Sequence, residues 1–447
     1  MIRIIGSGPA GLACGYTLLK SGFEDFIIYD KQPLEDRRCN ILEGGVCSHC
    51  NPCSIVNGVG GAGLFSDAKI VGTQESLEPI YDFIFNNVLQ GEEFHYHANY
   101  GDPFVSKVEE DTKKAGLQYD NTYSKTLHLG SDGGRRFIEV LVKKLDGHFD
   151  KYWHTGKRLW GAMGEWLRYH NWPNDPIVIS TGRPSYREIK RFLDTREVSY
   201  YAPPVDIGIR VEVPKEVLDS RERWGLYDFK LYTEYEDKVR TFCICHGGHV
   251  IAENHNGMLV PNGIAFSGNE SPYSNFTILV SIPLTDPVKD GAEYAESIMR
   301  ISNLLSKGSP NQRFEEASTR GGGIMVQWWG DVMEEKRSKI PIGRKHEILD
   351  ANLYPGDLRL AIPARYWNQI EYFLDKLSLV FPEMDGYNTL LYGTEVKFYP
   401  VIAKNKSEGG RILDSDKPLY IIGDAGGTRG IAKAIESGIK CAEELLG

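Results

Sequence analysis

The opening stretch MIRIIGSGPAGLACGYTLLKSGFEDFIIYD, residues 1–30, decides the fold. An apolar run (Ile2, Ile4, Ile5) leads into Gly6-Ser7-Gly8-Pro9-Ala10-Gly11. A helical segment from Leu12 to Lys20 follows, and FIIYD reads as a second apolar strand. In such a strand-turn-helix-strand unit each glycine has its own task. Gly6 permits the tight turn, Gly8 lets backbone approach a pyrophosphate, and Gly11 allows close helix-strand packing, with the phosphate at the positive helix N-terminus. Asp30 closes the second strand 19 residues after Gly11, where a carboxylate accepts hydrogen bonds from ribose hydroxyls. Pro9, Ala10, Lys31 and Arg38 are counted with these cofactor-binding residues.

Bulk properties fit this start. A chain of 447 residues outgrows one hydrophobic core, and 41% hydrophobic content can fill two or more packed units. A net charge of -10 argues against a general polyanion binder. No run reaches about 18 apolar residues, and no charged leader precedes the first strand, so a cytoplasmic protein is expected. Eight cysteines, three of them bunched at 47, 50 and 53, do not resemble a secreted disulfide framework.

At the other end, KPLYIIGDAGGTRGIAKAIESGIKCAEELLG runs from a strand through a Gly423-Asp424 turn into a helix ending near Leu446. It resembles the second flavin motif of glutathione-reductase-like FAD enzymes. That resemblance implies Asp424 on the ribityl side, Gly430 and Ile431 beneath the flavin ring, and a helix N-terminus favouring negative charge on the reduced ring. Both ends then ask for FAD rather than NAD. DPIVISTGRPSYREIKRFLD, 175–194, looks like the strand, Thr181-Gly182 turn and helix that return the chain to the same domain.

Taken together, GSGPAGL (6–12), GVGGAGLFSDAKI (58–70), HLGSD (128–132), VDIGIRVEVP (205–214), FCICHGG (242–248), NGIAFSG (262–268), GTEVKFYPV (393–401) and IIGDAGGTRGIAKAIESG (421–438) carry a family resemblance. The chain resembles the bacterial FAD-dependent dehydrogenases, or NAD(P)/FAD-dependent oxidoreductases, with a glutathione-reductase-like FAD fold, a family with no settled substrate. The resemblance implies an α/β fold: a Rossmann-like FAD-binding domain (1–70, 121–190 and 395–447) interleaved with a mixed α+β substrate domain (191–394). Residues 71–120 are expected to be a helical insertion. The sequence departs from the family pattern at His246, where proline is expected, at Ala68, where glycine is expected, and in a shortened segment between Asp132 and Ile177.

The second GxGxxG, at Gly58, Gly60 and Gly63, follows CSIVN, read as a strand, but no crossover helix or acidic strand end comes after it. It reads as a loop whose Gly60, Gly61, Ala62 and Gly63 bring backbone N–H groups to the flavin or its pyrophosphate. Lys69 would stabilise charge on the flavin edge or bind a substrate carboxylate, against the plainer reading of a surface lysine. Arg429, in GGTRG, is the candidate for fixing an anionic substrate group, again against a surface reading.

Cys47, Cys50 and Cys53 leave three readings open: a zinc ion or iron-sulfur cluster, a redox dithiol, or packed structural thiols. Cys39, His49, Cys243 or Cys245 would supply a fourth metal ligand. KYWHTGKRLWGAMGEWLRYHNWP, 151–173, interleaves tryptophans with basic residues, a pattern that suits base stacking or an amphipathic helix. His246 and His249 are weaker acid-base candidates. With no GxSxG, HExxH or Walker A sequence, hydrolase and phosphotransferase classes have no support. The function expected is an FAD-dependent oxidoreductase moving a hydride between a small organic substrate and flavin N5. The alternatives are a flavin enzyme acting on a nucleobase and an electron carrier with a cysteine-bound cluster; NAD(P)H would be a transient donor, and neither nucleic acid nor membrane is an expected partner.

Overall fold

The computed structural model describes residues 1–43, 50, 53–66, 68–92, 97–99, 105–123, 125–150, 175–218, 223–234, 236–266, 270–284, 290–306, 323–339 and 353–447. Cys47, His49 and the tryptophan-rich stretch 151–173 lie outside the described residues.

The first strand, Ile2–Ile5, is flanked on one side by Phe26–Tyr29 and on the other by Ile177–Ile179, which in turn pairs with Leu419–Ile421; all four run parallel. The first crossover is the helix Pro9–Lys20. Proline at its first turn presets φ, and Gly8 caps it with no side chain, leaving the helix N–H groups open. Leu12, Ala13, Cys14 and Leu18 bury its inner face. The C-terminal helix, Ile431–Leu446, lies against it closely enough that a Cβ on Gly438 would stand 2.2 Å from the Ala10 carbonyl oxygen. Segments near both ends of the chain therefore build one layer.

The second unit is a mixed eight-stranded sheet. Its order is Leu353–Pro355, Ile324–Trp328, Leu390–Lys397, Val205–Pro214, Tyr273–Ile282, Lys238–Cys245, Leu231–Glu234 and Gln118–Tyr119. Helix Ala364–Val380 buries Trp367, Ile370, Phe373, Leu374 and Leu377 beneath it. That is one face at helical spacing, each large side chain contributing roughly 1.5–3 kcal/mol.

Strand Val205–Pro214 alternates apolar with polar residues or glycine, yet nine of its ten residues are buried. Val205, Ile207, Ile209, Val211 and Val213 join the apolar core, while Asp206, Arg210 and Glu212 are buried on the other face. Arg210 donates to Glu395 (2.8 Å), Asn275 (2.7 Å) and Thr277 (2.7 Å), both members of the ion pair being fully enclosed.

Three details differ from the sequence reading. CSIVN forms turns rather than a strand, since Val56 and Asn57 N–H groups both return to the Cys53 carbonyl. The 71–120 segment holds helices Gln74–Tyr81 and Val105–Lys114, yet Gln118–Tyr119 joins the large sheet, and Lys69–Gly72 and His97–Asn99 flank Lys125–His128 in a small antiparallel sheet. Strand Leu390–Lys397 carries the large sheet past residue 395.

Candidate cofactor and active site

At the C-terminal ends of the parallel strands, between the two sheets, lies a cavity of about 580 Å³. The first glycine turn forms one end. Gly6 holds φ +100°, and a Cβ there would sit 2.9 Å from the Ser180 backbone. A Cβ on Gly11 would stand 2.1 Å from the Gly6 carbonyl oxygen, so Gly11 packs behind the wall rather than lining it. Gly8 is different: it is extended, lines the cavity, and a Cβ there would meet nothing within 4 Å. Pro9 and Ala10 line the cavity beside it.

Asp30 and Lys31 line the same end. Asp30 Oδ2 accepts from the Ser7 N–H (2.9 Å) and hydroxyl (2.6 Å), and Oδ1 accepts from the Lys31 N–H (2.7 Å). Ser7, which sequence reading passed over, thus fixes the carboxylate. Burial lowers the Lys31 pKa, with Asp30 opposing. Arg38 is exposed and does not line the cavity; its neighbour Arg37 is the buried one. The Arg37 guanidinium donates to the carbonyls of Ser54, Gly58, Val59 and Gly61, which holds the glycine loop in place. Burial lowers its pKa to about 10 against the opposing pull of Asp30.

That loop folds onto the first turn. Gly60 N–H donates to the Ser7 carbonyl (2.7 Å), and a Cβ on Gly63 would press 2.7 Å from Pro9 Cγ. Gly61, Ala62 and Gly63 line the cavity; Gly60, at φ +84°, packs on Ile138 instead. Ala68 holds φ +49°, a left-handed conformation that explains why glycine suits this position.

Thr181-Gly182 and Gly423-Asp424 adjoin the first glycine turn, a Cβ on Gly6 falling 2.9 Å from Thr181 N and one on Gly423 2.9 Å from Ala10 Cβ, and the start of helix Ile431–Leu446 continues the cavity wall. Asp424 accepts from the Arg183 N–H (3.3 Å); burial raises its pKa and Arg183 opposes. Gly430 and Ile431 line the cavity at the helix N-terminus. Lys69 is no surface lysine: its side chain is 6% exposed, its Nζ donates to the Ile244 carbonyl, and it stands 3.6 Å from Asp228. Arg429 pairs with Asp206 (3.3 Å) and lies over the rings of Phe242 (4.4 Å) and Tyr399 (5.0 Å). Asp206 also holds Arg240 (2.6 Å), so the buried polar face of Val205–Pro214 underpins this wall.

Lys230 had no motif to announce it. It lines both this cavity and an adjoining one of about 230 Å³, and burial lowers its pKa to about 7 despite Asp228. His246 does not line the cavity, its Nε2 donating to the Tyr227 carbonyl (2.8 Å), and His249 does not line it either.

The residues fit an FAD on two observations. Gly8 leaves open space at an uncapped helix N-terminus, where a pyrophosphate needs it. At the wall, the Thr181 hydroxyl and the Tyr399 phenol are buried, and neither has a hydrogen-bond partner among the described residues. Cys50 takes the Ser54 N–H (3.4 Å), and a hydrogen bond with Cys53 lowers its pKa. Among the described residues no three metal-ligand side chains come together. No described helix is long and apolar enough to cross a membrane.

No curated protein matches the sequence. Similar solved structures include an FAD dependent oxidoreductase from Pseudomonas aeruginosa (10% identity, 100% of this chain and 90% of that one, TM-score 0.37). Glycine oxidase from Bacillus cereus is another (12%, 100% and 94%, 0.37), as is L-proline dehydrogenase from P. horikoshii (9%, 99% and 91%, 0.35). TM-scores this low carry no inference about chemistry. The sequence of the large-sheet unit is more informative: residues 204–397 match the family described as FAD-dependent protein, C-terminal domain-like.

Proposed function

We propose that the protein is an FAD-dependent oxidoreductase acting on a small anionic organic substrate, with hydride transfer at flavin N5. The observation that carries this is a single cavity joining an open Gly8 turn at one end to a cationic wall at the other. Gly8, the glycine loop and Asp30 would hold the pyrophosphate and ribose, and Thr181, Gly182, Gly423 and Asp424 the ribityl side. Gly430 and Ile431 would lie under the ring. When bound, the flavin supplies the two-electron redox chemistry.

The chain's own residues supply position and charge. Lys69, Lys230, Arg240 and Arg429 face Asp228 across the far half of the cavity, with Asp206 behind them. Lys69, Arg240 and Arg429, joined by Lys230 while it is protonated, outnumber the two carboxylates and leave a surplus of positive charge in a partly desolvated site, where an anion such as a carboxylate is stabilised. Arg429, held over the rings of Phe242 and Tyr399, is suited to orient that anion, and Lys69 to hold charge at the ring edge. Lys230, with a pKa near 7, is suited to exchange a proton with substrate.

The test is anaerobic mixing of the flavin-loaded protein with 2-amino, 2-hydroxy and dicarboxylic acids. Bleaching of the flavin band by one class, with a primary isotope effect on the transferred hydrogen, is expected. Reduction by uncharged substrates alone would overturn the anion assignment.

A further inference from the structure

Cys243 and Cys245 lie on strand Lys238–Cys245 with their sulfurs 4.0 Å apart and not joined in a disulfide. In a regular strand, residues two apart have Cα atoms roughly 6.8 Å apart, at the outer limit of what a disulfide spans. This strand is not regular here. Cys243 holds φ +52°, and the register with Tyr273–Ile282 slips between Phe242 and Cys245, so three steps on one strand match two on the other. Such a bulge shortens the local chain and re-aims a side chain. A non-glycine residue in this conformation carries strain of order 1 kcal/mol or more, which thiols that merely fill a core would not need.

The pair is also placed for chemistry. Cys243 lines the large cavity, next to Phe242, whose ring carries Arg429 at the end assigned to the flavin ring. Cys245 is fully buried behind it. Lys69 Nζ stands 3.8 Å from Cys243 Sγ. Arg210 lies on the adjoining face: burial disfavours its charge, but Glu395 and then the two sulfurs more than restore it. Cations beside a partly exposed sulfur favour the thiolate, the form that reacts.

We infer that Cys243 and Cys245 are a redox-active dithiol that exchanges electrons with the cofactor bound in this cavity. On oxidation two S–H bonds break and one S–S bond forms; the two electrons and two protons released are taken up by oxidised FAD, and the reverse reduces the disulfide. The inference rests on the FAD reading above. It places the acceptor side of the reaction on the protein itself, apart from the Cys50–Cys53 pair.

The test uses the flavin-loaded protein under anaerobic conditions. Aliquots held oxidised or reduced are acid-quenched, alkylated in denaturant and mapped by mass. Cys243 and Cys245 are expected to become alkylatable together only after reduction. Reductive titration is expected to consume four electrons per chain, two for FAD and two for the disulfide, falling to two in Cys243→Ser and in Cys245→Ser but staying at four in Cys50→Ser. Wild-type protein that consumes only two, a pair alkylated in every state, or a drop confined to Cys50→Ser would overturn the inference. If the protein holds no flavin, the cofactor reading fails by itself, and mass mapping still shows whether the pair cycles: cycling keeps the dithiol and removes its acceptor, and no cycling removes both.

Discussion

The first glycine turn and the polar face of strand Val205–Pro214 both serve the same cavity, but they are specified in opposite ways. The turn is local: Gly6, Gly8, Gly11 and Asp30 lie in a single strand-helix-strand unit, and each residue's task follows from its spacing. The polar face is assembled from distant segments. Asp206 meets Arg240 and Arg429, and Arg210 meets Asn275, Thr277 and Glu395, partners 34 to 223 residues away. Local geometry can be written as a motif; a network of charges satisfied only after folding cannot.

The sharpest way to divide the turn is by glycine. In Gly11→Val the new side chain would start 2.1 Å from the Gly6 carbonyl oxygen, and we expect a loss above about 4 kcal/mol or failure to fold. The polar face would be broken by Arg210→Met, which leaves buried Glu395 with only Lys397 (3.0 Å) and the Thr277 hydroxyl (2.9 Å). Urea unfolding should show a loss of about 3–5 kcal/mol, and Arg210→Met with Glu395→Gln should recover part of it. An unchanged midpoint in the single variant would mean the pair is not buried as described.

The pH dependence of the far wall tests Lys230. Its pKa is lowered to about 7 from an ordinary 10.5, so it carries charge at pH 6 and loses it by pH 8. Substrate affinity should therefore weaken as pH rises through 7, by up to about tenfold per unit, and become flat in Lys230→Met. The unfolded chain keeps that proton up to its ordinary pKa, so this residue makes stability rise with pH between about 7 and 10. The smallest effect is expected from Ala68→Gly, which relieves a left-handed alanine. Thermal denaturation should show a gain of about 0.5–1 kcal/mol, less what the extra freedom of glycine in the unfolded chain removes.

Legibility in the sequence followed the same division. The parallel sheet, the interleaving of chain ends and the glycine loop were readable because strands, turns and helices leave periodic marks. Arg37 and Arg38 show where that stops: they are adjacent and chemically identical, and only folding buries the first among four carbonyls while leaving the second exposed. Ser7 sits in plain view inside the motif, and its bond to Asp30 follows from the parallel pairing of the two strands. Lys230 has no signature, because its lowered pKa arises from burial. Cys243 and Cys245 were legible only as possible metal ligands, and the bulge that brings Cys243 to the cavity wall has no mark in the sequence.

The most direct measurement is the FAD content and stability of Gly8→Val beside the wild type. Gly8 is extended and faces open space, so the fold tolerates the side chain while the space for a pyrophosphate is filled. The account predicts one FAD per chain in the wild type, and in Gly8→Val a normal circular dichroism spectrum with the flavin lost. A folded Gly8→Val that retains full FAD would contradict it.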